Sequence, residues 1–252
     1  MAIRSSSDAS RLTGDTSQRG VALATAFSLL LVALLAAFAQ FGALKPLIVP
    51  ADAAATTINI AASLGLYQAA IVAFLIVAVL DVVVAGGFYF LLRPVNEGLA
   101  RLVGSLRVVY AGFFAFALLN LFDAAGLVQS ATGTALQSGP LQAQVASAVA
   151  SFDTGWHLAL GIFGLHLVGI GALLSRFAPR PLAALVVLAG VGYLADSVGT
   201  ILIADYGLTI STFTFVGEAL LIFWLFWRAA TTWRSSEMAI DSPDVASAAA
   251  AS

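Results

Sequence analysis

The chain alternates long apolar blocks with short polar punctuation. Six blocks stand out, at 21–44, 66–92, 99–122, 155–174, 182–204 and 211–227. Each is close to the roughly 20 apolar residues needed to cross a bilayer core about 30 Å thick. The blocks are rich in Ala, Leu and Val and lack the period-two alternation of an outer-membrane barrel strand, so all six predict transmembrane helices.

The punctuation carries the charge, and its sign alternates with the crossings. Arg4, Arg11 and Arg19 precede the first block, Arg93 and Arg101 bracket the turn after the second, Arg176 and Arg180 lie between the fourth and fifth, and Arg228 and Arg234 follow the sixth. In a six-span weave all nine fall on one face. The other face holds Lys45 with Asp52, Asp123, Asp153 and Asp205. Arginine and lysine near span ends are retained on the cytoplasmic side, which predicts cytoplasmic N- and C-termini in the cell membrane.

Composition agrees: of 252 residues, 61% are hydrophobic and 10% charged, against roughly one-quarter charged in a soluble domain. The mean hydropathy of +1.00 excludes a soluble enzyme. A net charge of −2 gives no basic surface for nucleic acid. The absence of cysteine removes disulfides, thiolate metal ligands and cysteine nucleophiles.

Arg19, the apolar run after it and Ala37-Phe38-Ala39 before Gln40 imitate a secretory signal. The run is longer than a signal's roughly 7–15-residue apolar core, so a retained first span is expected. The longest connection, 123–154, is rich in Ser, Thr, Gln and Ala. Leu141, Val145, Ala148, Val149 and Phe152 recur there at helical spacing, predicting a short helix over 141–152 that lies on the outer surface as a cover. Residues 45–63 read as a loop with two prolines. Residues 1–19 and 231–252 read as disordered tails around one membrane domain at 20–230.

Five segments, in order, resemble a family of bacterial and archaeal membrane proteins known as domain of unknown function 4386: YFLLRPVN at 89–96, LRVVYA at 106–111, FGLHL at 163–167, GYLADS at 192–197 and Gly217-Glu218. They run from the second block to the sixth. The resemblance implies a multi-pass integral membrane protein and carries over no catalytic residues.

The same segments contain most of the ionisable residues inside the apolar blocks, which are Asp81, Arg107, His166, Asp196 and Glu218. A charge at the bilayer centre costs at least about 3 kcal/mol on insertion scales, so each is a candidate ligand- or proton-binding group. Counting about 1.5 Å per residue from the flanking arginines puts His166 and Glu218 ~15 Å deep, Asp81 ~18 Å and Asp196 ~24 Å. Side chains lean toward their own helix N-terminus, which brings these four toward one depth near the midplane. Arg107 lies about 9 Å beyond Arg101. From there it either snorkels to the surface or neutralises Asp81 or Glu218.

Other readings stand beside a functional site. The buried groups can act as interhelical glue, with Tyr89, Tyr110, Tyr193, Asn120, Ser197 or backbone carbonyls as partners. A metal site from His166 with Asp81, Asp196 or Glu218 is chemically reasonable. However, His157 and His166 lie on opposite faces of a straight helix, and no His-Glu-x-x-His spacing occurs. His157 reads as an anchor at the outer boundary. No nucleophile elbow, P-loop, dinucleotide fingerprint or haem-attachment motif is present. The glycines at 161, 164, 169, 171, 190, 192 and 199 read as close helix packing. Single aspartates on the second and fifth blocks, Asp81 and Asp196, hint at an inverted repeat.

The expectation is therefore an all-α, six-helix integral membrane bundle in contact with the lipid bilayer and compatible with oligomerisation. Asp81, His166, Asp196 and Glu218 would exchange protons or bind a small cationic or polar solute for transport, with Arg107 as counter-charge. No cofactor and no enzymatic activity are expected. A structural or assembly subunit of a membrane complex, and an intramembrane metal-dependent hydrolase, are the alternative readings.

Overall fold

The computed structural model describes residues 3–131, 133–203, 206–207 and 209–240, and side chains over 18–131, 134–203, 206–207 and 209–231. Every element among them is helical. The first helix, α1, runs over Ile3–Ala37, passes through a π-helical segment at Phe38–Leu44 and closes with one turn, Lys45–Leu47. It is followed by α2 (Ala53–Ala62), α3 (Leu64–Leu92), α4 (Glu97–Ser130), α5 (Gly139–Leu174) and α6 (Arg180–Leu202). A single turn at Ser211–Thr214 leads into α7 (Val216–Ile240).

Six stretches are long and apolar enough to cross a membrane: Gln18–Leu47, Leu64–Leu92, Glu97–Ser130, Gly139–Leu174, Arg180–Leu202 and Ser211–Thr231. The protein is thus a multi-pass, all-α membrane bundle, as the apolar blocks predict. Large apolar side chains such as Val79, Phe116, Leu119 and Phe223 stand on the outside, as lipid-facing residues must.

The helices form a closed ring. Each spanning helix packs on its neighbours in sequence, and α7 returns to pack on α1. Small residues set the closest approaches. A Cβ added to Gly164 on α5 would lie 2.5 Å from the Gly190 carbonyl oxygen on α6, and one added to Gly190 would lie equally close to the Gly164 carbonyl. These glycines let two backbones touch, which is packing rather than a channel lining.

Both polar connections on the Lys45 side are more ordered than expected. The predicted loop at 45–63 contains α2, because Asp52 accepts a hydrogen bond from the Ala55 N–H and caps the helix. Ala51, with φ of 63°, makes the tight turn before it, closed by the Asp52 N–H donating to the Val49 carbonyl. The predicted surface helix at 141–152 is instead the first part of α5, which runs unbroken for 36 residues, or about 54 Å. It keeps the expected apolar face, with Val145, Val149 and Phe152 buried, but spends it against α4 and α2. The reason is that α4 also continues, to Ser130, so the two helices extend together as a hairpin.

At the chain ends, helical backbone is present from Ile3 and as far as Ile240, within the stretches expected to be tails. Residues 241–252 of the second tail, and Asp205 on the Lys45 side, lie outside the described residues. The end of the bundle opposite Lys45 gathers Arg19, Phe177, Trp224 and Arg228 around one small cavity, so the arginine-bearing ends of α1, α5 and α7 meet there. The Arg228 guanidinium lies over the rings of Phe177 and Trp224, at 5.2 and 5.5 Å from their centroids.

Candidate functional site

The ring of helices lines a partly open cavity of about 260 Å³ to which all six spanning helices contribute. Its polar lining is Asp81 from α3, Arg107 and Tyr110 from α4, Tyr193 from α6 and Glu218 from α7; α1 supplies apolar residues, including Leu29 and Val32, and α5 supplies Trp156 and Phe163.

Arg107 organises this region. Its side chain does not snorkel: the residue is 2% exposed, and Nε (3.0 Å) and Nη2 both donate to Oδ1 of Asp81, which is 1% exposed. The third nitrogen, Nη1, faces Nε2 of His166 at 3.2 Å. His166 Nδ1 lies 2.9 Å from the Val103 carbonyl oxygen on α4. A carbonyl can only accept and a guanidinium can only donate, so Nδ1 carries the proton and Nε2 offers its lone pair. His166 is therefore a neutral imidazole with both nitrogens engaged, and it has no lone pair left for a metal ion. The Arg107 guanidinium also lies 5.2 Å from the centre of the Phe163 ring, completing its coordination.

Two acceptors are left over. Because Arg107 donates twice to Oδ1, the other Asp81 oxygen, Oδ2, is buried with no hydrogen-bond partner among the described residues. Glu218 receives one long hydrogen bond, from the Tyr193 hydroxyl to Oε2 at 3.4 Å, while its buried Oε1 is also unpartnered. Arg107 forms its ion pair with Asp81. Unsatisfied buried carboxylate oxygens are costly, and two on one cavity mark where a donor or cation would be stabilised.

Asp196 does something else. Oδ1 accepts from the Tyr206 hydroxyl (2.8 Å) and the Ile210 N–H (2.9 Å), and Oδ2 accepts from the Ser211 N–H (2.8 Å). It ties the connection after α6 to the turn that starts the last span, so its carboxylate is saturated. On the loop side, burial and the adjacent carboxylate push the Tyr206 hydroxyl above its usual range. Asp81 and Asp196 thus have unrelated roles, which removes the aspartate symmetry suggested for an inverted repeat.

Of the five candidates, three form one network (Asp81, Arg107, His166), Glu218 faces the same cavity and Asp196 stands apart as a loop anchor. His157 hydrogen-bonds within α5 through the Asp153 carbonyl oxygen, 2.8 Å from Nδ1. Sequence reasoning missed the aromatic wall. Tyr110 stacks on Phe114 and packs on Phe163, Phe163 meets Tyr193 edge-on, and Trp156 packs on Phe114. In an apolar block such rings carry no distinguishing signal; only their convergence on one cavity sets them apart.

The domain of unknown function DUF4386 matches residues 24–229, which covers the four middle spans and most of the first and last. The chain belongs to this family. The chain is also similar to an uncharacterized protein of Archaeoglobus fulgidus, 32% identical over 157 residues, covering 62% of this chain and 80% of that protein. No solved structure matches the chain. The segments that carry the DUF4386 resemblance hold Arg107, His166, Asp196 and Glu218, but not Asp81.

The network makes a stability prediction for this DUF4386 bundle. Removing one member of a buried ion pair strands the other and costs about 3–5 kcal/mol, whereas removing both does not. Asp81→Asn and Arg107→Met should each lower the unfolding midpoint in detergent sharply, and the double variant should lose less than the sum by at least about 1 kcal/mol. Additive losses would show that the two side chains are not coupled.

Proposed function

We propose that this protein binds a small polar or cationic solute at the central cavity and exchanges a proton there, with Glu218 as the titrating group, and that it serves transport across the membrane. The supporting observation is the asymmetry of the two cavity carboxyls. Asp81 has its own cation, whereas Glu218 has a single long hydrogen bond and an unpartnered buried oxygen. Low-dielectric surroundings favour the neutral form of an uncompensated carboxyl, and an incoming cation favours the charged one. One residue can thereby couple solute occupancy to protonation. Asp81, Arg107 and His166 act as the fixed polar wall of the site.

The reading as interhelical glue accounts well for Asp81, Arg107, His166 and Asp196, whose hydrogen bonds join separate elements. It leaves Glu218 unexplained, since a single 3.4 Å contact is a poor return for placing a half-buried carboxyl inside an apolar span.

Infrared difference spectra of the protein in bilayers, recorded between acid and alkaline pH, should contain a protonated-carboxyl band that disappears in Glu218→Gln and persists in Glu97→Gln. Proteoliposomes of the parent should show a pH-dependent flux that Glu218→Gln abolishes. A Glu218→Gln protein with an unchanged infrared titration and unchanged flux would refute the assignment.

The arginine-bearing end is proposed to face the cytoplasm of the cell, with both termini on that side. The chain has no cysteine, so single cysteines report without background. An impermeant maleimide added to intact cells should label Gln137→Cys and spare Ser175→Cys; the reverse pattern would invert the topology.

A further inference from the structure

The chemistry of the cavity narrows the solute, on the reading that Glu218 is an exchangeable carboxylate at this site. The fixed charges sum simply. Asp81 and Arg107 cancel, His166 is neutral by its hydrogen bonds, and a deprotonated Glu218 leaves one net negative charge. A single positive charge restores neutrality.

The walls indicate what kind of cation. Few polar side chains line the cavity: Asp81, Arg107, Tyr110, Tyr193 and Glu218. Inorganic cations that shed water require a nearly complete shell of oxygens, and no group of three or more His, Asp or Glu positioned for a metal occurs among the described residues. The space, about 260 Å³, is also far larger than a bare ion. The lining is mostly apolar, and beside its aliphatic residues it carries several rings, among them Tyr110, Phe114, Trp156, Phe163, Tyr193 and Phe215. Aromatic faces attract organic ammonium ions through the ring quadrupole, most strongly where water is excluded. At this cavity a cation already meets a ring face, the Arg107 guanidinium over Phe163.

We propose that the cavity is a binding site for a monovalent organic ammonium ion with an apolar body, held at the end lined by Glu218 and Asp81 and by the rings around Trp156 and Tyr193 elsewhere. Proton and cation compete for the same carboxylate. Affinity therefore rises with pH through the titration of Glu218, and occupancy expels its proton.

The test uses the full chain in nanodiscs and two isosteric probes, phenyltrimethylammonium and its uncharged carbon analogue tert-butylbenzene. Binding is read by Trp fluorescence and by isothermal titration. The ammonium ion should bind saturably and at least about ten-fold more tightly than the hydrocarbon, and more weakly as pH falls. Glu218→Gln should abolish the pH dependence and most of the affinity. Trp156→Leu should weaken binding several-fold with the pH dependence intact, read by calorimetry. Sodium chloride at matched ionic strength should not reproduce the signal. Equal affinity for tert-butylbenzene, no saturable binding of the ammonium ion by folded parent protein, or full displacement by sodium would each overturn the ammonium proposal. The infrared titration of Glu218 is read without any ligand, so it separates failure of this proposal from failure of the proton-exchange reading.

Discussion

A guanidinium cannot lose its charge in a protein, and in the middle of a membrane bundle it cannot be left unpaired. Arg107 imposes that constraint on the whole molecule. Its donors reach Asp81 on α3 and His166 on α5, and His166 returns to α4 through the Val103 carbonyl. Rotation or sliding of any one of these three helices would break a charge-assisted hydrogen bond where water cannot substitute for it. Apolar packing against lipid offers no comparable penalty, because hydrocarbon is as good a neighbour as another leucine. The network therefore fixes register, while the glycine contacts between α5 and α6 fix distance.

The remaining spans are placed by the ring and by Asp196. That carboxylate gathers Tyr206, Ile210 and Ser211, so the polypeptide leaving α6 turns at a defined point and enters α7 in a fixed setting. Two turns further on is Glu218, facing the Asp81–Arg107 pair across the cavity. The division of labour is chemical: Asp196 is saturated by donors, Asp81 is half-saturated by a cation, and Glu218 is nearly bare. Three carboxyls on one set of helices thus sit among different numbers of donors, and this difference is what motivates the proposal of Glu218 as the exchanging group.

The six spans were legible because the bilayer imposes a length and a hydropathy that no soluble context requires. The partnership of Arg107 was half legible. Counting from Arg101 gives height along the bundle but not direction around the helix, and only direction distinguishes a snorkelling arginine from a buried one. The same limit hid the separate role of Asp196, although its greater depth placed it toward the end where the α6–α7 connection runs. Helix α2 had a local signal in Asp52, a good N-cap residue after Pro50, which an Ala- and Thr-rich sequence made easy to read as loop. The apolar periodicity of 141–152 was correct, but periodicity marks a buried face and not what covers it. Glu218 was identifiable as a buried acid; that it lacks a cation emerges only once Arg107 is committed to Asp81.

All of this rests on Arg107, Asp81 and His166 forming one network in which the imidazole stays neutral. Solid-state nitrogen NMR of ring-labelled histidine in bilayers tests it directly, with His166 separated from His157 by a His157→Gln variant. The network requires a neutral His166 with the proton on Nδ1 and an unprotonated Nε2, unchanged through mildly acid pH. An imidazolium at that pH, or the opposite tautomer, would contradict it.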